Sequence, residues 1–163
     1  MTLSVGKTSY VKEEDGRERV FFEYDGVVYD CGLRSTSNLL KIMPYVRDEI
    51  SVGGVYTSSG RRNQDAYDVR LGYVIDVGLG CFPENVFAWG VDCKVGDWIS
   101  YHRHCVVIDC IIDPRPAEQR EVFADGVTSN KDLIVGIIAD NAISSCYGKC
   151  DPSMINTNYH IGK

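Results

Sequence analysis

Apolar side chains along this chain recur at every second position in short runs, and glycine or polar clusters interrupt the runs. The pattern predicts strands. Arg19-Val20-Phe21-Phe22-Glu23-Tyr24 and Val27-Val28-Tyr29 flank Asp25-Gly26, a pair that supports the positive φ angles of a type I′ turn, so a hairpin is expected there. Further strands are expected at residues 39–44, 69–77, 98–101, 105–112, 121–123 and 133–139. Asp113-Pro114-Arg115-Pro116 should end the strand before it, because proline cannot donate to a ladder. Residues 12–18 are charged and read as a solvated turn. No amphipathic helix, repeat or low-complexity tract emerges. Short strands with frequent turn signals predict an all-β protein, an antiparallel barrel or sandwich.

Two segments break the alternation. Residues 53–68 enclose Ser58-Ser59-Gly60-Arg61-Arg62-Asn63-Gln64-Asp65, which has no period. That segment is either a solvated loop or an arm that orders against a partner. Residues 81–93 hold Phe82, Val86, Phe87 and Trp89 in a turn region. Such a cluster either marks a contact surface or folds back onto the sheet.

The order of these pieces resembles the GroES co-chaperonin family over roughly residues 39–140. Gly53-Gly54 and the following Val55, Tyr56 and Thr57 match the glycine pair and triplet that head the family's mobile loop. Val77-Gly78-Leu79-Gly80 matches a strand end in Val-Gly-x-Gly, and Lys94-Val95-Gly96-Asp97 matches the step after the roof hairpin. The apolar 133–139 run matches the last family strand. The resemblance implies a GroES-like antiparallel β-barrel at 39–140, with a hairpin-bearing extension at 1–38 and an irregular arm at 141–163. It also implies a homo-oligomer in which residues 39–43 pair with residues 133–139 of a neighbouring subunit. The chain departs from the family at Thr57, where the triplet that inserts into a chaperonin is apolar, and at residues 102–119, which are longer.

Composition narrows the partners. With 163 residues the chain can bury a single core. Its 44% hydrophobic and 25% charged content is that of a globular protein. A net charge of −6 argues against nucleic acid, which calls for a basic face. The N-terminal residues lack the basic-then-apolar pattern of a signal peptide. The longest apolar run falls far short of the roughly 20 residues that span a bilayer, so no membrane partner is expected.

Seven cysteines are many for this length, and an odd number leaves one without an intrachain partner. Cys105 and Cys110 lie in an apolar run and read as buried small hydrophobes. Cys146 and Cys150, in a polar tail, read as disulfide or interchain cysteines, with Cys31 a further candidate. Cys81 and Cys93 bracket the roof segment, and a bond between them would close a short loop worth roughly 3 kcal/mol.

Catalytic chemistry finds little purchase. His102-x-His104 beside Cys105 could share a strand face, but a tetrahedral zinc site needs further ligands at suitable spacing. A Cys–His nucleophile would need a base in reach and an oxyanion pocket, and no glycine-framed nucleophile is present. The glycines form no phosphate-binding or dinucleotide pattern. No metal or cofactor is expected, and no enzymatic activity.

Two non-enzymatic functions remain. One is a structural module that decorates, links or seals a large assembly, a virus particle in particular, since phages carry GroES-like proteins; its place is the virion. The other is a cytoplasmic co-chaperonin that caps a chaperonin ring through the loop after Gly53-Gly54. Polar Thr57 and the cysteine load favour the first. Neither the oligomeric number nor the host is written in the residues.

Overall fold

The computed structural model describes residues 5–45, 71–83, 93–102, 105–119 and 131–150. Within them the chain is all-β and antiparallel, with two short 3₁₀ turns. A three-stranded meander comes first, in the order β1 (Gly6–Lys12), β2 (Glu18–Tyr24) and β3 (Val27–Leu33). Asp25 and Gly26 take φ of 52° and 78° between β2 and β3, the left-handed pair a type I′ turn requires. The expected hairpin is therefore present. Strand β1, which the polar alternation Lys7-Thr8-Ser9 conceals, adds to its edge along seven paired positions.

The other strands form one six-stranded sheet. Its members are β4 (Leu39–Pro44), β5 (Leu71–Val77), β6 (Trp98–Tyr101), β7 (Val107–Ile111), β8 (Leu133–Ala139) and β9 (Ile143–Gly148), in the spatial order β7-β8-β4-β5-β6-β9. Two expectations are corrected here. Leu39–Pro44 pairs with Leu133–Ala139 of the same chain, Leu40 opposite Ile138 and Ile42 opposite Gly136, so those backbone groups are taken within the subunit. The C-terminal arm is regular at its start, where β9 adds to β6. Residues 121–123 lie outside the described part.

Alternation assigns the two faces of the large sheet. Leu71, Tyr73, Ile75, Trp98, Leu133 and Val135 point to one side, where Val20, Phe22, Val27, Tyr29 and Cys31 of the meander cover them. This is the first core. Leu40, Ile42, Val74, Ile99, Tyr101 and Ile138 point to the other side and form a second core with Cys93 and Val106. Ile108 of β7 and Ile143 of β9, from opposite edges, pack against the same cluster, so the sheet curls around it. Strand β5 serves both cores, and Leu71 through Asp76 are all buried. A buried strand should read as a near-continuous apolar run, and Asp76 is the exception.

Candidate interaction site

Polar clamps fix where the sheets sit. Asp76 Oδ1 accepts a 2.7 Å hydrogen bond from the Tyr10 hydroxyl of β1 and lies 3.3 Å from Arg34 Nε. The Arg34 guanidinium stacks 4.8 Å over the Tyr10 ring and donates to the Val77 carbonyl at 3.2 Å. Burial first, and then the bond to Asp76, raise the Tyr10 phenol well above its usual range. Nearby, Thr8 Oγ1 donates to the Ile75 carbonyl at 2.6 Å. On the far side of the meander, Lys41 Nζ donates to the carbonyls of Cys31 and Leu33 at 2.9 and 2.6 Å. Its half-burial lowers the ammonium's pKa. The first clamp was not anticipated from the sequence, and a lone acid in the run Tyr73-Val74-Ile75-Asp76-Val77 is the signal that could have found it.

A second carboxylate holds the end of the curled sheet. Asp140 accepts from Asn38 Nδ2 at 3.1 Å and from the Phe82 amide at 2.9 Å, while its own amide donates to the Asn38 carbonyl at 3.0 Å. Phe82 is held at φ 54° and packs against the second core. Of the four apolar roof residues, then, Phe82 turns inward; Val86, Phe87 and Trp89 lie outside the described part. So do Gly53, Gly54, Val55, Tyr56 and Thr57 of the expected partner loop, and His104.

The Lys94-Val95-Gly96-Asp97 step has a physical account. Asp97 N donates to the Lys94 carbonyl at 3.1 Å, closing a four-residue turn, and Gly96 takes the φ of 94° that its third position needs. Asp97 Oδ2 in turn accepts from the Lys94 amide at 2.9 Å. The turn is pinned to β5, since Gly96 N donates to the Val74 carbonyl and Val74 N to the Asp97 carbonyl.

The seven cysteines are all thiols in this structure, and they divide by environment. Cys31 is buried in the first core, and desolvation raises its thiol to about 11. Cys150 packs at the margin of that core. Cys81 Sγ points to the Leu39 carbonyl at 3.6 Å. Cys93 lies within hydrogen-bonding reach of Cys146, whose Sγ also sits 3.4 Å from Asp97 Oδ2. Cys105 and Cys110 are exposed, which corrects their reading as buried hydrophobes. The inward positions next to them belong to Val106, beside Cys105 and in the second core, and to Ile111, beside Cys110 and packed against the first.

The sheet edges differ in kind. Strand β9 pairs with β6 through two register shifts, and such irregularity blunts an edge. Strand β7 pairs with β8 over five consecutive positions without a break, from Val107 opposite Ile137 to Ile111 opposite Leu133. Its other edge hydrogen-bonds to no strand among the described residues. Val107 is 64% exposed and Ile112 74%, beside exposed Cys110. One negative charge, Asp109, is the strand's only ionic side chain. A regular, apolar, unpaired edge is a template for strand addition.

Other features carry less. A hollow of about 460 Å³ lies between Gly16–Glu18, Leu33–Thr36 and Leu79, and it opens widely to solvent. Its two arginines are already neutralised, Arg17 by Asp15 and Arg34 by Asp76. His102 is exposed at the end of β6, and no metal-binding group of three acidic, histidine or cysteine side chains occurs among the described residues. No described helix is long and apolar enough to cross a membrane. No protein-family model matches the chain, and no curated protein matches it.

Proposed function

We propose that this protein is a non-enzymatic structural subunit that links, decorates or seals a large particle, with its curled β-sheet in the role of a GroES-like barrel. The observation that carries this reading is strand β7. Its register is unbroken, and exposed Val107 and Ile112 lie along or just beyond it. A neighbouring subunit's strand would complete the edge and cover those side chains. The exposed thiols Cys105 and Cys110, one just before the strand and one on it, could add an interchain bond. The phage particle follows from the resemblance and from the cysteine load, not from the edge itself.

The competing reading, capping of a chaperonin ring, depends on Val55 and Tyr56, with polar Thr57 weakening the grip. One pair of assays separates the two. Sedimentation of the native chain should show an assembly, and Val107→Lys should shift it toward monomer while leaving the circular dichroism spectrum unchanged. A chaperonin pull-down with ATP should capture nothing. Capture that depends on ATP, from a chain that otherwise sediments as a monomer, would reverse the assignment.

A further inference from the structure

We propose that Cys93 and Cys146 form an intrachain disulfide that ties the start of the Lys94–Asp97 turn to strand β9. The two residues are 53 positions apart, but the fold brings Cys146 and the residue next to Cys93 to one carboxylate oxygen. Asp97 Oδ2 takes the amide of Lys94, the residue next to Cys93, at 2.9 Å, and Cys146 Sγ at 3.4 Å. The two thiols are within hydrogen-bonding reach of each other. Both belong to the second core: Cys93 is 4% exposed, and Cys146, opposite Ile99 in the β6–β9 ladder, packs against it.

The other cysteines are engaged elsewhere. Cys81 is directed at the Leu39 carbonyl, Cys31 and Cys150 belong to the first core, and Cys105 and Cys110 are exposed. The bond would join an edge strand, held among the described residues by β6 alone and through two register shifts, to the turn that anchors β5. It would close the curl at its least regular point. This inference stands apart from the particle reading, because it concerns a single chain.

The chemistry balances with a small-molecule disulfide as oxidant. Partly exposed Cys146 gives up its proton, and its thiolate attacks one sulfur of the oxidant, expelling the other as a thiolate that takes up the proton. Cys93 then loses its proton and attacks Cys146 Sγ of the mixed disulfide, expelling the second thiol. Two protein thiols are oxidised and one disulfide is reduced to two thiols. Burial, together with the Asp97 carboxylate, holds the Cys146 thiol above its usual range, which slows the first attack near neutral pH.

The test uses the full chain, purified under reductant, treated with oxidised glutathione, alkylated, and then digested without reductant. A single linked pair of peptides containing Cys93 and Cys146 is expected. The melting midpoint should rise by roughly 5–15 °C, the range typical of a disulfide in a chain of this size. The rise should vanish with reductant and be absent in Cys146→Ser, while Cys81→Ser retains it. A Cys81–Cys93 peptide, a covalent dimer through either residue, or separate alkylation of both thiols would overturn the proposal.

Discussion

The first core lies between two sheets, and the second lies inside one. Between the sheets, large aromatic and aliphatic side chains meet face to face: Phe22 packs 6.0 Å from Tyr73, which meets Trp98 edge-on at 5.5 Å. Polar bonds from Tyr10, Thr8 and Lys41 fasten the rim. Inside the curl the lining is smaller and softer. Gly72 and Gly136 stand where side chains would collide, cysteines fill the margin, and the Tyr101 hydroxyl is buried without a partner among the described residues. A layered core is closed by a separate element that can be positioned as a body. The second core is lined by the strands of one sheet, so its width depends on what each inward position holds.

The comparison is most sharply tested by large-to-small substitution. Phe22→Ala removes a fully buried ring from between two sheets that their rim bonds prevent from collapsing. A loss of about 3–5 kcal/mol is expected. Ile138→Ala opens the second core, where a curled sheet can tighten, and should cost toward the lower end of the range, about 2–3 kcal/mol. Urea denaturation of both variants measures the difference. Equal losses would mean that the curl is as rigid as the sandwich.

Small-to-large substitution tests the curl directly. A Cβ on Gly136 would lie 2.6 Å from Val106 Cγ2 and 3.1 Å from Ile42 Cγ1. Gly136→Ala should therefore cost about 1–3 kcal/mol through overpacking. Val106→Ala also costs stability alone, but in the double variant the two losses should fall short of their sum, because the collision disappears. Strict additivity in denaturant midpoints would show that the sheet yields elsewhere.

These two cores were unequally visible in the residues. The Asp25-Gly26 turn, the four-residue strand Trp98–Tyr101 and the run Leu133–Ala139 declare themselves, because a positive-φ pair and β-branched or aromatic runs are local signals. Strand β1 was hidden, since an edge strand with Lys7, Ser9, Val11 and Lys12 exposed has a weak apolar face. Partner choice is a non-local matter. Nothing in residues 39–44 says that they pair in the same chain, and the family resemblance pointed to a neighbour instead. Cys93 and Cys146 show the same limit. Sequence spacing set Cys93 beside Cys81, and only the β6–β9 ladder carries Cys146 to it.

The smallest expected effect comes from the hydroxyl that the second core leaves unsatisfied. Tyr101 is 1% exposed, and its oxygen has no hydrogen-bond partner among the described residues. A buried polar atom without a partner keeps its desolvation cost and gains nothing in return. Tyr101→Phe keeps the ring that meets Gly72 and removes that atom. Stability near neutral pH should stay level or rise by about 0.5–1 kcal/mol, and a loss of similar size would reveal a hydrogen bond to the hydroxyl in solution. The alkaline limb gives an independent reading. Burial raises the Tyr101 phenol above its usual range, whereas in the unfolded chain it titrates near a pH of about 10. Above that pH the unfolded chain releases a proton that the folded chain retains, so stability falls as pH rises. Burial likewise raises Tyr10, and it carries Tyr29 to about 12, so the limb belongs to several phenols. Tyr101→Phe should make the fall between roughly pH 10 and 12 shallower without abolishing it. An unchanged alkaline slope, measured by denaturant unfolding at each pH, would mean that this phenol ionises as easily in the folded protein as outside it, and that the second core admits water.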